Sequence, residues 1–112
     1  ADGQTATAVL VETLRALGGD TVYRVPSRDE GHGVHQRGLE RLIDEGARLI
    51  LTCDTGITAH TAVARANELG AEVIFTDHHV LGEHLPPALA SVNPHPLAPG
   101  HAMSALTGVG VA

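Results

Sequence analysis

Lysine and tryptophan are missing from this sequence of 112 residues, which has one cysteine, Cys53, and two aromatic residues, Tyr23 and Phe75. A lone thiol excludes an internal disulfide and any zinc site of the paired CxxC kind, and it fits a reducing cytoplasm. With so few aromatics, the core must be built from Ala, Val, Leu and Ile. That aliphatic bias suits a parallel sheet buried on both faces. All seven basic residues are arginine, a bias that points to a GC-rich source, with heat adaptation left open, more than to function. No stretch reads as a signal peptide or a membrane span, because the unbroken apolar runs are only a few residues long. The formal charge of −6 gives no support to a nonspecific nucleic-acid coat, which normally shows as a basic face. It does not forbid nucleic acid, since carboxylates gathered around cations count as negative in a formula but are neutralised once loaded.

Hydrophobic spacing supplies the elements. Ala6, Leu10, Leu14 and Leu17 recur at helical spacing from Thr5 to Leu17, with Gly18-Gly19 as the stop. Thr21 to Val25 reads as a strand ended by Pro26, and Ser27 to His35 as a polar loop. A second helix is expected over Arg37 to Glu45, with Leu39, Leu42 and Ile43 inward. After a strand ending at Asp54, a turn leads into a third helix carrying Ala59, Ala62, Val63, Ala66 and Leu69 on one side. Thr58 is its expected N-cap and Gly70 its C-cap. A strand to Thr76 follows, then a loop from Val80 to Pro87, a short strand from Leu89 to Val92 and a Pro/His-rich connection from Asn93 to Ser104. Strands alternating with helices over short links imply one α/β domain, a parallel sheet with helices on both faces.

The chemistry concentrates in Val73-Ile74-Phe75-Thr76-Asp77-His78-His79, an apolar run delivering an acid and two histidines. Leu49-Ile50-Leu51-Thr52-Cys53-Asp54 has the same layout, and Asp2-Gly3 precedes the first helix. Open α/β sheets bind ligands beyond the carboxyl ends of their strands, so these residues would meet in one crevice. Acids with a histidine pair suggest a divalent cation; without thiolates the donors suit manganese or magnesium better than zinc.

Asp77-His78-His79 resembles the Asp-His-His signature of the DHH phosphoesterase superfamily, and the flanking pieces resemble its RecJ branch of single-strand-specific DNA exonucleases. Ala1-Asp2-Gly3 is similar to the end of the branch's acid-rich first motif, and Asp54-Thr55-Gly56-Ile57 to its Asp-Asn-Gly-Ile motif, with Thr for Asn. Asn93-Pro94 and Leu106 to Ala112 look like its Asn-Pro element and Gly-rich helix start. Arg28 and Gly31-His32-Gly33-Val34-His35 resemble a loop usually written with Gly-Tyr-Gly-Leu-Asn, from which His32 and His35 depart. The resemblance covers the whole chain in register.

The resemblance implies residues 1–112 of a partial DHH domain that hydrolyses phosphodiesters with paired Mn2+ or Mg2+ ions. Asp2, Asp54 and His78 would be ligands, with Asp54 bridging. His79 and Arg28 would meet the substrate phosphate, and Asp77 would orient a histidine from behind. It further implies five-prime to three-prime digestion of single-stranded DNA in repair and recombination, with a helicase and a single-strand binding protein as partners. The chain opens on Ala1-Asp2-Gly3 and stops at Val111-Ala112, so it is read as a segment of a longer protein. By resemblance further acids lie on either side, and the isolated segment is expected to be inactive. Two alternatives stay open: a DHH hydrolase for short oligonucleotides, cyclic dinucleotides or pyrophosphate, and a noncatalytic replication scaffold. The plainer readings are that Asp2 favours a helix N-terminus, Asp54 shapes a turn, and His78 and His79 are loop histidines. The remaining histidines, including His60, His84, His95 and His101, are read as surface or capping residues, and Cys53 as a small buried apolar residue.

Overall fold

Helix α1, Asp2–Ala16, opens the fold in a computed structural model that describes residues 1–112. The helix starts three residues earlier than its apolar stripe suggests, with Asp2 in the first turn, where a carboxylate is favoured. Only Ala6 of that stripe is fully buried; Leu10 and Leu14 are half-buried and Leu17 is exposed. After a turn, α2 spans Gln36–Asp44, and β1, Leu49–Cys53, begins a βαβ unit completed by α3, His60–Glu68, and β2, Glu72–Thr76. The short β3, Ala90–Val92, and α4, Gly108–Val111, complete the order.

The three strands are parallel in the order β1-β2-β3, with Ile50 beside Val73 and Cys53 beside Thr76. Because side chains alternate along a strand, Ile50 and Val73 share one face. There they join Leu39 and Ile43 of α2 and Ala62, Val63 and Ala66 of α3 in the main core cluster. Small alanines on α3 let it lie close to the sheet without aromatic filler. Helix α1 meets β1 separately, with the thiol of Cys53 beside the Thr7 hydroxyl. Helices therefore flank the sheet on both faces.

Three local expectations are corrected. Thr21 to Val25 forms no strand: no other strand pairs with it, and Val22 and Tyr23 are each 61% exposed. Its β-branched residues have the right shape for a sheet, but a strand needs a hydrogen-bonding neighbour. Thr58 is not the N-cap of α3; Ala59 holds that position without a side-chain hydrogen bond. Gly70, with φ +82°, stands one residue beyond the C-cap Leu69, in the left-handed conformation that ends helices.

The loop before α2 is pinned rather than free. Arg24 pairs with Glu30, which also accepts the Ser27 N–H, and the guanidinium lies against Gly38 so closely that a Cβ there would come within 2.8 Å of it. Arg28 sits exposed in the short 3-10 turn Arg28–Glu30 that results.

Candidate metal centre

Asp54 and Asp77 stand one residue past the ends of adjacent parallel strands. The ladder continues to hold them there: the Asp54 N–H donates to the Thr76 carbonyl at 2.8 Å, and the Asp77 N–H to the Val92 carbonyl at 3.0 Å. Thr76 and Thr52 bind the two strand ends further, through a hydroxyl donating to the Thr52 carbonyl at 2.9 Å and another to the Thr55 carbonyl at 2.6 Å. Both acids thus emerge from rigid backbone on the crevice side of the sheet.

Asp54 then turns the chain in an unusual way. It is the one non-glycine residue with positive φ, +59°, a left-handed conformation that costs most L-residues energy and that Asp and Asn tolerate best. Strain of this sort gathers at functional positions. Gly56 follows with φ +118°; a Cβ on it would lie 2.8 Å from the Thr52 hydroxyl and 2.9 Å from the Phe75 Cβ. The turn therefore folds tightly over β2.

Asp77 is 1% exposed, and every polar group that reaches it donates. Its Oδ2 accepts the Ile57 N–H at 3.2 Å. Its Oδ1 accepts the N–H groups of His78, at 2.8 Å, and His79, at 3.2 Å, and pairs with His79 Nδ1. A buried carboxylate is tolerable only when so satisfied. The pairing fixes the tautomer of His79, with Nδ1 protonated toward Asp77 and Nε2 left free. It also holds the ring above the ordinary histidine pKa, the Asp77 hydrogen bond outweighing the opposing effect of partial burial.

The ligand atoms of Asp54, His78 and His79 lie within 4.8 Å of one another. His78 Nε2 is 3.0 Å from Asp54 Oδ1, yet that oxygen is buried and receives no aligned hydrogen bond. Two lone-pair donors that approach each other off axis are arranged as ligands of a shared cation would be. One carboxylate and two imidazoles, with no thiolate among them, form a donor set suited to a divalent ion such as manganese. Cys53 is not among them, and burial pushes its thiol pKa up, with Asp54 adding to the effect.

The structure sorts the residues expected from sequence. Asp54 and His78 come together, Asp77 lies behind His79, and His79 joins the group directly. Asp2 is not in that group of three. Its two oxygens accept the N–H groups of Gly108, at 2.7 Å, and Val109, at 3.0 Å, joining α1 to the start of α4. It remains next door, because Gly108 also abuts Asp54: a Cβ there would lie 2.3 Å from Asp54 Oδ1. A carboxylate offers about four acceptor positions, so two amides leave Asp2 room for a further partner. Arg28 lies outside the group. Sequence reading overlooks the Ile57 N–H and Gly108; the tightness of Gly108 is a contact between distant segments, which no local pattern reveals.

Fold and site define a class: an open parallel α/β domain that gathers acids and imidazoles beyond its strand ends. The DHH family N-terminal domain matches residues 1–112, and the chain belongs to that family. It is 45% identical over 114 residues to the single-stranded-DNA-specific exonuclease RecJ of Salmonella typhimurium, an alignment covering 100% of this chain and 20% of that protein. A crystal structure of an exonuclease RecJ bound to manganese superposes with a TM-score of 0.83 at 43% identity, over 98% of this chain and 28% of that one. RecJ from Thermus thermophilus in complex with Mn2+ gives a TM-score of 0.76 at 39% identity, over 98% of this chain and 15% of that one. The chain thus spans about a fifth of the length of its curated Salmonella relative. No helix in it is long and apolar enough to cross a membrane.

Proposed function

We propose that this chain is the cation-binding part of a single-strand-specific DNA exonuclease that hydrolyses phosphodiesters from the five-prime end, in repair and recombination. The observation that carries the reading is the buried, unsatisfied Asp54 Oδ1, 3.0 Å from His78 Nε2 and beside His79. The RecJ relatives support it. Asp54 and His78 would hold a Mn2+ or Mg2+ ion, with His79 presenting Nε2 to the same ion or to the substrate phosphate. Asp2, across Gly108 from Asp54, would serve the same ion or a second one nearby. Bound there, divalent cations lower the pKa of water and neutralise phosphate charge.

The chain's own residues do the positioning. Asp77 keeps the His79 ring in one tautomer, and the strand-end hydrogen bonds keep both acids from drifting as charge changes. Arg28, exposed in its turn, is free to reach a phosphate as a forked donor. A helicase and a single-strand binding protein are the partners we would expect, in the cytoplasm.

The test is digestion of end-labelled single-stranded and duplex DNA by the full-length protein with Mn2+, Mg2+ or excess chelator. Release of mononucleotides from the five-prime end of single strands, abolished by chelator, is the expected result. Activity indifferent to chelator, or a preference for dinucleotides over long strands, would overturn it.

A further inference from the structure

We propose that His95 is a positioning residue for the histidine pair, acting through the backbone; the inference rests on the cation-binding reading given above. The dipeptide His78-His79 is gripped from two sides. Its N–H groups both donate to Asp77 Oδ1. Its carbonyls both accept from the segment after β3: His95 Nε2–H donates to the His78 carbonyl at 2.9 Å, and the Asn93 amide donates to the His79 carbonyl at 3.0 Å. Since a carbonyl only accepts, Nε2 of His95 must carry a proton.

The clamp is built so that the two donors move together. The His95 N–H donates to Asn93 Oδ1 at 2.8 Å, and the intervening Pro94 is buried, with its ring fixing φ. Asn93 follows directly on β3, whose Val92 carbonyl holds the Asp77 N–H. One short segment therefore fixes the acid behind the pair and the carbonyls of the pair itself. Residue 95 is exposed, and the His78 carbonyl is the one hydrogen-bond partner of its ring. Packing gives that ring little reason to lie where it does; the hydrogen bond does. Rotation of the His78 peptide would swing the imidazole away from Asp54, and His95 opposes that rotation.

Residues one step removed from a cation typically cost about 10-fold or more in affinity when lost. In the full-length protein freed of metal, His95→Phe keeps the ring and removes the donor, while His95→Gln places an amide N–H near the position of Nε2. His95→Ala removes the donor without requiring a larger ring to fit, and carries the test should the Phe variant fail to fold. Calorimetric titration with Mn2+ should show affinity falling about 10-fold in His95→Phe and His95→Ala, and staying within about threefold of wild type in His95→Gln. Melting of the metal-free proteins should stay nearly unchanged. Affinity within twofold of wild type in both donor-less variants, or a loss in His95→Gln equal to that in His95→Phe, would overturn the inference while leaving the site standing. Wild-type protein that binds no Mn2+ overturns the site, and this role with it.

Discussion

Asp54 carries two burdens at one position: a left-handed backbone with φ +59° and a buried oxygen facing His78. Substitution can separate them. Asn adopts the left-handed region nearly as readily as Asp, whereas Ala pays about 1 kcal/mol for it. Asp54→Asn should therefore unfold in urea close to wild type, and Asp54→Ala about 1 kcal/mol earlier. Both should lose at least tenfold in Mn2+ affinity by calorimetry, because neither side chain brings an anionic oxygen. Equal stability of the two variants would show that the turn is unstrained. At this scale the histidine pair and its acids were legible because a short motif names them. Asp2 shows the opposite case: its amide partners lie 106 and 107 residues away, and no local pattern could couple them. His95 is hidden for a different reason, since a bond to a backbone carbonyl asks nothing of the residue type at position 78.

Among the elements, β1, β2, α2 and α3 lie within about two residues of their expected bounds, because each carries its own apolar pattern and the two helices are followed by glycine stops, Gly46 and Gly70. Thr21 to Val25 shows the limit of such reading, since its strand-like composition cannot state whether a neighbour is there to pair with it. Helix α4 was legible as a Gly-rich start, and its two glycines do different work in the fold. At Gly108 a Cβ would lie 2.3 Å from Asp54 Oδ1 and 2.5 Å from its Cγ, whereas at Gly110 the nearest atom is the flexible end of Leu106, at 3.0 Å. Gly108→Ala should accordingly push α4 off the Asp54 carboxylate, break the Asp2 hydrogen bonds and weaken Mn2+ binding by about tenfold or more. Gly110→Ala should bind like wild type, and the shorter backbone entropy of alanine should leave α4 no less stable. Titrations of the two variants side by side check this; equal affinities would mean that the close approach of α4 has no bearing on the cation.

At the scale of the whole fold, α1 and α4 come to one place. Asp2 from the first helix, Asp54 from β1, the histidine pair after β2 and Gly108 of the last helix all border the same crevice, and the acids there sit in a chain of formal charge −6. A divalent ion at this junction offsets repulsion between carboxylates that belong to different elements, so it should hold those elements together rather than stiffen the protein uniformly. Ligand that binds only the closed form suppresses each opening that breaks the site by the factor 1 + [L]/Kd, about 100-fold at a free concentration of 100 times Kd. Hydrogen exchange of the full-length protein can resolve where that suppression falls. With Mn2+ at that concentration, the amides of Gly108 and Val109, which are bonded to Asp2, and those of His78 and His79, which are bonded to Asp77, should exchange up to about 100-fold more slowly. The amides of the 3-10 turn Arg28–Glu30, whose opening leaves the crevice intact, should keep their rates. Slowing shared equally by the turn and the crevice, or confined to the histidine pair with α4 untouched, would mean that the cation does not join the first and last helices through this site.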